Sequence, residues 1–430
     1  MDGIVVIDLG FGDSGKGTMT DFLVHERETN WVIRYNGGAQ CGHNVKNGEF
    51  KHCFSQFGSG SQRPNVKTYL SRHVLFNPIS LIEEATILQE KGVSKPLDKI
   101  WIDPDTPIIT PFHVWANRAK EMHRGKNRHG SCGKGIGELG SDLVNSSGSV
   151  IRAWELNYCE DKLHRIQEHR LQECRSMGVD VTPYQRFSDS KEPANLAKNY
   201  SKIASALQIA KPTIDGSVIF EGAQGVLLDE WYGFHPYTTW STIIPTNVAD
   251  VINESIPSLY GNVEIMGVVR SYMTRHGAGP LVTETKPENI FHPHEVNCSN
   301  KWQQHFRFGW PDLVLWKYAV MAANYEAPFH YLAVTHLDIF QHQALQICGG
   351  YKQKDTGEQY GILLPGEEPD LETQAQLTKD LMNNVEPIYI HDIFDENDMC
   401  FALEQGLNIP VKYKSYGPDF GDKVILDISL

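Results

Sequence analysis

The sequence predicts an α/β protein with a large, mainly parallel central sheet flanked by helices. Short apolar runs typical of buried strands occur at 4–9, 218–220, 263–269 and 331–334, each bounded by polar residues or glycine. Helical patterns lie between these runs, and such alternation is typical of parallel sheets. The first run leads directly into a glycine-rich turn, which indicates a fold of the phosphate-loop kind.

That first turn has the composition of a phosphate-binding loop. Residues 10–18 are GFGDSGKGT, and a glycine-rich turn that ends in Gly-Lys presents backbone N–H groups and one lysine to a polyphosphate. The spacing from Gly10 to Lys16 matches the usual GxxxxGK loop, but Gly17 stands where a magnesium-binding Ser or Thr is usual. The loop therefore predicts a nucleotide site unlike that of an ordinary NTPase.

Three segments carry helix signals. A helix is predicted to begin near Lys16, because apolar residues follow at helical spacing. A second begins with a capping box at 80–83 and stops at Gly92. The charged segment 158–177 has a thin apolar stripe and predicts a surface helix that covers the core and has no functional role. The apolar residues of the three are Met19, Phe22 and Leu23, then Ala85 and Leu88, then Leu163, Ile166 and Leu171.

Length and charge narrow the class of protein. We interpret the 430 residues as one domain over 1–430 with surface insertions, of which 350–370 is one, because it is rich in Gly, Pro and charge. The net charge of −14 argues against non-specific binding of nucleic acid, which needs an excess of Lys and Arg. No apolar run approaches the roughly 20 residues of a membrane helix, so we expect no membrane partner.

The cysteines favour a reducing compartment. Eight are scattered along the chain without a CxxC pair, which indicates neither a zinc ribbon nor a disulfide framework and predicts a cytoplasmic protein. His292, His294 and Cys298 have a faintly metal-like spacing, but structural metal sites usually have four ligands, so a polar loop is favoured.

Four further polar, glycine-rich segments follow predicted strands. They occupy 34–44, 220–225, 271–280 and 335–338. Ligands of open α/β sheets bind beyond the carboxyl ends of the strands, so these loops and the opening loop predict one shared site.

These motifs closely resemble those of the adenylosuccinate synthetase family, in the same order along nearly the whole chain. The family's GDEGKGK corresponds to 12–18, its RYQGGxNAGH to 34–43, its TTGRGIGP to 131–138, its FEGAQGxLLD to 220–229, its YTTRVGAGPFPTE to 272–284 (here YMTRHGAGPLVTE) and its TGWLD to 308–312.

The resemblance implies a GTP-dependent ligase that is a homodimer and uses Mg²⁺. GTP phosphorylates the 6-oxygen of an IMP-like purine nucleotide, and an amine, aspartate in the family, then displaces the phosphate. Phosphorylation is needed because a lactam oxygen is a poor leaving group. By the same resemblance, Asp13 is the general base, His43 stabilises the transferring phosphoryl group, Gln224 completes the catalytic set, and Asp13 and the Gly42 carbonyl bind the metal.

The resemblance also assigns the GTP site. Asp338 lies in the counterpart of the family's TKLD, where His336 replaces lysine, and would accept from guanine, so GTP is favoured over ATP. Residues 415–418 match the family's SVGP and would flank the base, whereas Ser14 replaces the glutamate of the family loop. The full GTP set is Gly12, Ser14, Gly15, Lys16, Gly17, Thr18, Asp338, Ser415 and Gly417.

The residues predicted to bind the purine nucleotide and the amine match the family motifs less well. In the purine-nucleotide set, Cys132 replaces a phosphate-contacting threonine, and Arg152 is a candidate for an arginine that reaches the phosphate site of a partner subunit. The amine-substrate loop at 300–310 keeps one arginine of the family's three, which weakens the prediction of aspartate as donor because guanidinium groups hold carboxylates best. The purine set is Gln40, Ser131, Cys132, Gln224, Thr239 and Arg152, and the amine set is Arg307, His305 and Gln304.

Two alternatives therefore stay open. One is a paralogue with a changed substrate, either dGMP converted to 2-amino-deoxyadenylosuccinate or a different amine donor. The other is a non-catalytic, GTP-binding regulatory homologue. The presence of Asp13, Lys16, His43 and Gln224 together favours an enzyme, because a binding protein needs neither the base nor the acid.

Overall fold

The computed structural model describes residues 1–125, 128, 130–145, 150–291, 295–299, 302–303, 305–324, 328–366 and 370–427. The strands are β1 (Gly3–Asp8), β2 (Trp31–Arg34), β3 (His43–Asn47), β4 (Phe50–Phe54), β5 (Lys67–Leu70), β6 (Ile100–Ile102), β7 (Gln208–Ile209), β8 (Val218–Glu221), β9 (Val263–Arg270), β10 (Met273–His276), β11 (Glu284–Thr285), β12 (Phe306–Gly309), β13 (Tyr331–Thr335), β14 (Leu345–Gln353), β15 (Gln359–Tyr360), β16 (Val385–Ile393), β17 (Val411–Ser415) and β18 (Lys423–Ile425). The α-helices are α1 (Lys16–Glu26), α2 (Pro78–Glu90), α3 (Pro111–Arg124), α4 (Ile136–Val144), α5 (Glu160–Ser176), α6 (Glu192–Ala204), α7 (Thr246–Ser255), α8 (Leu313–Ala323), α9 (Leu371–Asn383) and α10 (Glu396–Leu407).

The central sheet has the order β18-β17-β13-β9-β1-β8-β2-β5-β6-β7. Its pairs are parallel except that β18 runs antiparallel to β17. The four strands predicted from apolar runs are β1, β8, β9 and β13, all near the middle, where β1 and β8 are buried along their whole length. Helices cover both faces of parallel sheets, which is why these strands are continuous apolar runs. The predicted fold class is confirmed.

The helix predictions hold with two corrections. The second helix begins at Pro78, earlier than the predicted capping box, because the Asn77 side chain accepts from the backbone N–H of Ser80 and so caps it. Helix α5 has the predicted thin buried stripe, but its Arg170 is also fully buried, and Glu173 faces the cavity described below.

Smaller sheets extend from this core. Strands β10, β12 and β11 form one antiparallel sheet, β15, β14 and β16 another, and β3 pairs with β4. The segment predicted as a surface excursion at 350–370 contains the β14–β15 hairpin and is largely exposed at its turn. The interpretation as a single domain stays a prediction. None of the helices in the described part of the chain is long and apolar enough to cross a membrane.

Candidate active site

A cavity of about 1270 Å³ lies at the carboxyl ends of β1, β2, β8, β9, β13 and β17. Helices α3, α4 and α5 form its far wall. The structure brings most of the predicted site residues to this cavity, as expected for loops at one edge of a parallel sheet. Those that line it are Gly12, Asp13, Gly15, Lys16, Gly17, Thr18, Gln40, Gly42, His43, Ser131, Cys132, Gln224, Thr239, Asp338, Ser415 and Gly417.

The phosphate-type loop is organised around the carboxylate of Asp8, the last residue of β1. This fully buried group accepts from the backbone N–H of Gly10 at 2.8 Å and of Ser14 at 3.0 Å, and it pairs with Lys16 Nζ at 3.0 Å. Ser14 therefore lies buried within the loop and contributes no lining side chain. Sequence reasoning missed Asp8, although an acid that ends an otherwise apolar strand was a visible signal.

Neighbouring strands fix the loop in an unusual backbone conformation. Gly12, Asp13 and Gly15 all have positive φ, of 90°, 60° and 89°. Arg270 at the end of β9 donates through Nη1 to the Asp13 carbonyl at 3.1 Å, and the Thr335 hydroxyl at the end of β13 donates to the Ser14 carbonyl at 2.8 Å. A non-glycine residue in this region of φ costs free energy and is often found at a functional site, so the position of Asp13 supports a role for its side chain.

Gly17 lies against the backbone of His43. A Cβ built on Gly17 would be 2.7 Å from the Cβ of His43 and 3.0 Å from its carbonyl carbon, closer than atoms approach without displacement. Packing of the second loop onto the first therefore excludes the Ser or Thr that an ordinary phosphate loop carries here.

His43 is oriented by a buried carboxylate. Its Nδ1 lies 2.8 Å from Glu221 Oε1, while Glu221 Oε2 accepts from the backbone N–H of Ser59 at 3.0 Å and lies 3.8 Å from Arg34 Nε. Burial alone would raise the pKa of Glu221, but His43, Arg34 and the Ser59 N–H outweigh it and lower the pKa to about 2. Burial lowers the pKa of His43. A neutral imidazole that donates Nδ1–H to Glu221 keeps Nε2 as its second functional nitrogen.

Asp13 is half-buried and lines the cavity. Burial raises the pKa of its carboxyl group, against the opposing charges of His276, Lys16 and Arg270. His276 Nε2 lies 3.5 Å from Asp13 Oδ2. A raised pKa makes a carboxylate a better proton acceptor near neutral pH, which suits a general base.

The oxygen atoms of Asp13 and of the Gly42 carbonyl fit a magnesium ion that enters the site bound to a nucleotide. Neither carboxylate oxygen of Asp13 accepts a hydrogen bond from a described residue, and Gly42 lines the same cavity. Over the described ranges, no group of three or more His, Cys, Asp or Glu is placed to hold a metal. Mg²⁺ usually takes one or two protein oxygens and completes its octahedron with water and phosphate, so the two predicted ligands suffice.

The predicted purine side of the cavity is polar and tightly connected. Gln224 has a φ of 53°, its Nε2 lies 3.6 Å from Cys41 Sγ, and its Oε1 is 3.4 Å from Gln40 Nε2. The Ser131 hydroxyl donates to Asn117 Oδ1 at 3.0 Å. Burial raises the pKa of Cys132 to about 11, so this residue offers a neutral thiol.

The far wall is an ionic network that sequence reasoning missed. Lys120 of α3 pairs with Glu138 of α4 at 2.6 Å and with Glu173 of α5 at 2.5 Å, and Arg170 pairs with the same two acids. Glu121 pairs with Arg124 at 2.5 Å. The network joins three consecutive helices, and the pairs that connect different helices lie too far apart for helical spacing to reveal them.

Several predicted residues lie elsewhere. Arg152 lines a separate cavity of about 370 Å³ with Arg72, His73 and Asp105, and its Nη1 donates to the Asp105 carbonyl at 2.8 Å. Its predicted role concerns the site of a partner subunit and stays a prediction. Gln304, like His292 and His294, lies outside the described residues.

The protein itself occupies the guanidinium groups of Arg307, the arginine predicted to hold the amine substrate, and of Arg275, which belongs to the matched motif 272–284. Arg307 does not line the cavity: it makes a two-pronged ion pair with Glu284, and its Nη1 donates to the carbonyls of Gly277 at 3.0 Å and Gly279 at 2.8 Å. His305 is exposed and also lies outside the lining. Arg275 lines the cavity, but it donates to the carbonyls of three residues, and burial lowers its pKa to about 9. Those carbonyls belong to Ala278, Pro280 and Tyr237.

Known proteins are similar over the whole chain. A curated adenylosuccinate synthetase of Malacoplasma penetrans is 28% identical over 449 residues, which cover 99% of each chain, and one of Francisella tularensis is 29% identical over 442 residues, covering 97% of this chain and 96% of its own. A structure of fully ligated adenylosuccinate synthetase from Plasmodium falciparum has the same fold, with a TM-score of 0.77 at 21% identity and 99% coverage of both chains.

A second solved structure is more distant. The succinoaminodeoxyadenylate synthetase of cyanophage S-2L, bound to dGMP and to dATP as an energy donor, has a TM-score of 0.56 at 13% identity, and the match covers 99% of this chain and 96% of the phage enzyme. The family model of adenylosuccinate synthetase matches residues 5–423. The resemblance seen in the sequence is thereby confirmed, and the chain belongs to the adenylosuccinate synthetase family of ligases, which form a carbon–nitrogen bond.

Proposed function

We propose that the protein uses GTP to phosphorylate the 6-oxygen of a purine nucleotide and then replaces the phosphate with an amine. One observation carries the proposal: Asp13 and His43 face the same cavity as Lys16 of the phosphate-type loop, where buried Glu221 holds His43 and buried Asp8 holds Lys16. A base, an electrostatic partner and a phosphate cradle within one cavity are what transfer of a phosphoryl group to a lactam oxygen requires.

In the first step Asp13 takes the proton from N1 of the purine. The N1–H electron pair moves into the ring, O6 bonds to the γ-phosphorus, and the bond from that phosphorus to the leaving diphosphate breaks. His43, protonated and paired with Glu221, donates Nε2–H to the transferring group, and Lys16 with the loop N–H groups holds the phosphates. A bound Mg²⁺, held by Asp13 and the Gly42 carbonyl, would neutralise charge on the phosphate oxygens.

In the second step the amine nitrogen bonds to C6, and the bond from C6 to the phosphorylated oxygen breaks so that phosphate leaves. The nitrogen loses one proton to solvent, which restores the neutral aromatic product. Gln224 lies beside Gly12 and Asp13, where its amide can contact the purine edge. The roles of these residues are assigned by the match of motifs and by their shared cavity.

The energy donor is proposed to be GTP. Asp338, Ser415 and Gly417 line the cavity beyond the phosphate-type loop, at the ends of β13 and β17, where a nucleotide base would lie. A carboxylate accepts from guanine N1–H and N2–H, whereas adenine N1 carries no hydrogen and cannot donate to it. The phage neighbour is bound to dATP as an energy donor, so an adenine nucleotide is the alternative donor to test.

A second candidate function is the same chemistry on a different substrate. The observation that favours it is the occupation of Arg275 and Arg307 by backbone carbonyls and Glu284, which leaves neither guanidinium for a substrate carboxylate. The phage neighbour is bound to dGMP, so dGMP joins IMP as a purine to test. Donors that lack a second carboxylate join aspartate.

The test is phosphate release from GTP by the purified full chain with Mg²⁺, IMP or dGMP, and a panel of amines, with the products identified by mass spectrometry. We expect release that depends on both a purine and an amine. Release no faster than with GTP alone, across the whole panel, would refute the ligase and favour the regulatory homologue.

Asp13→Asn separates catalysis from binding. We expect turnover to fall by at least about 100-fold, the usual contribution of a general base, while binding of a GTP analogue stays measurable. Asp2→Asn, an exposed carboxylate outside the cavity, is the matched control. Normal turnover in Asp13→Asn would exclude it as the base. We also propose a cytoplasmic homodimer, as the family resemblance implies, which sedimentation of the full chain tests.

A further inference from the structure

We propose that His276 is the positioning residue of the catalytic carboxylate: its Nε2–H holds Asp13 Oδ2, so that Oδ1 takes the substrate proton. The inference rests on the proposed function, because it concerns how Asp13 acts as a base. It adds a residue from the other half of the chain to the catalytic unit. The family motif quoted above carries valine at this place, so the pair is a feature of this chain.

His276 lies beside the Asp13 carboxylate in the cavity. His276 ends β10 and lines the cavity with 18% of its side chain exposed, and its Nε2 lies 3.5 Å from Asp13 Oδ2. Among the described residues no other side-chain cation lies within 4 Å of that carboxylate, and none donates a hydrogen bond to it. A small closure on substrate binding would bring the pair to ordinary hydrogen-bond length.

The other cations near Asp13 are already paired with other acids. Lys16 is held by Asp8 at 3.0 Å, and Arg270 is held by Glu295 at 2.5 Å. His276 has no such competing acid in the described part of the structure. The imidazole is therefore the group whose polar interaction is directed at Asp13.

The imidazole ring of His276 is held in place by its neighbours. His276 lies opposite Phe306 in the β10–β12 pair, and their ring centroids are 4.7 Å apart. Nδ1 is buried and has no hydrogen-bond partner among the described residues. Since the hydrogen bond of one ring nitrogen sets the proton on the other, nothing described here draws the proton away from Nε2.

A catalytic carboxylate needs such support. Asp13 sits in a left-handed loop position and its backbone is fixed by Arg270, but among the described residues only His276 makes an ion pair with its side chain. Held at one oxygen, the carboxylate presents the other in a defined direction, and supporting residues of this kind typically contribute 10- to 100-fold to activity. His276 itself neither gains nor loses a proton in this account.

The experiment measures the first chemical step without the unidentified amine. In GTP labelled with ¹⁸O at the bridge between the β- and γ-phosphorus atoms, reversible phosphoryl transfer to the purine scrambles the label into non-bridging positions. The wild-type full chain is compared with His276→Val, which removes the imidazole, and with His276→Gln, which retains an N–H donor. The control is His25→Val, which removes a similar His–Phe ring contact, at 4.6 Å from Phe420, outside the cavity.

We expect the exchange rate of His276→Val at saturating purine to fall about 10- to 100-fold. His276→Gln and His25→Val should stay within about 5-fold of wild type, and the KM for GTP should be unchanged in all three. A thermal melt establishes that each variant is folded. If His276→Val does not fold, His276→Leu, closer in volume to the imidazole, takes its place.

The outcomes separate the two proposals. A wild-type rate retained in His276→Val overturns the inference and leaves the proposed function standing, and so does an equal loss in His276→Gln. A fall that disappears at high Mg²⁺ concentration also overturns it, because His276 would then act on metal binding. A wild-type chain that shows no exchange with IMP or dGMP refutes the proposed function and the inference with it.

Discussion

Lys16 Nζ lies 3.0 Å from the carboxylate of Asp8, and both side chains are almost completely buried beneath the phosphate-type loop. The pair keeps the buried ammonium group of Lys16 from being an isolated charge at the wall of the cavity. Removing one partner of such a pair leaves the other uncompensated, which typically costs 3–5 kcal/mol.

Asp8→Ala should therefore lower the free energy of unfolding by about 3 kcal/mol or more, since it also leaves the N–H groups of Gly10 and Ser14 without their acceptor. Urea unfolding measures the change. Asp2→Ala is the control, because its ion pair with Arg27 is exposed and should change stability by less than about 1 kcal/mol. Equal stability of the two variants would show that the buried pair is dispensable.

Gly17→Ala should impair catalysis by displacing His43. A Cβ at this position would lie 2.7 Å from the His43 Cβ, and overpacking of this kind costs about 1–3 kcal/mol. We expect kcat to fall about 10-fold or more, since catalytic groups tolerate little displacement. Gly421→Ala, which has nothing within 4 Å of its built Cβ, should behave as wild type. A fully active Gly17→Ala would show that the two loops separate easily.

Acid should destabilise the protein through Glu221 and His43. The pKa of Glu221 is lowered to about 2 from an ordinary 4.5, so its stabilising contribution is complete above about pH 4.5 and is lost as the pH falls towards 2. The lowered pKa of buried His43 adds a loss that begins near its ordinary pKa of 6.5. Both residues therefore lower the stability of the fold as the pH falls.

Urea unfolding at a series of pH values tests this. Wild type should lose up to about 3 kcal/mol through Glu221 on going from about pH 5 to pH 2, and Glu221→Gln should show a shallower slope over that range. An unchanged slope in the variant would assign the acid sensitivity to other carboxylates.

Arg307 should affect stability and leave amine affinity unchanged. Its guanidinium is shared between Glu284 and two backbone carbonyls, outside the cavity. Arg307→Lys loses this forked geometry, and the partly exposed setting limits the cost to about 1 kcal/mol. Thermal unfolding and the KM for the amine, measured on the same preparation, show whether Arg307 acts on stability or on amine binding. A KM that rises with no change in melting temperature would restore the carboxylate-binding role that the sequence predicts.

The sequence predicted the parts of this protein that are local patterns. Apolar runs located the central strands, and the polar segments after them located the loops that meet at the cavity. The matched motifs identified the family. These succeed because a buried parallel strand and a glycine-rich turn each leave a contiguous trace in the chain.

What it could not predict are pairs made between distant segments. Glu221 is within a recognised motif, yet its contact joins the end of β8 to His43 at the start of β3, 178 residues away in the sequence. His276 was visible as a departure from the family pattern, but nothing in the sequence places it beside Asp13. For Arg307, residue type suggested a substrate contact, whereas the geometry provides Glu284 as its partner.

The order of strands around the cavity also has a consequence for biosynthesis. The phosphate-type loop follows β1, which precedes β9, β13 and β17 along the chain, whereas Ser415 ends β17, which lies two strands beyond β9 in the same sheet. A nascent chain that carries the loop alone has no β9, β13 or β17 to fix it or to complete the base pocket. During synthesis the proposed GTP site is therefore completed only after β17 has been made, and a chain interrupted before Ser415 would lack one side of the proposed base pocket.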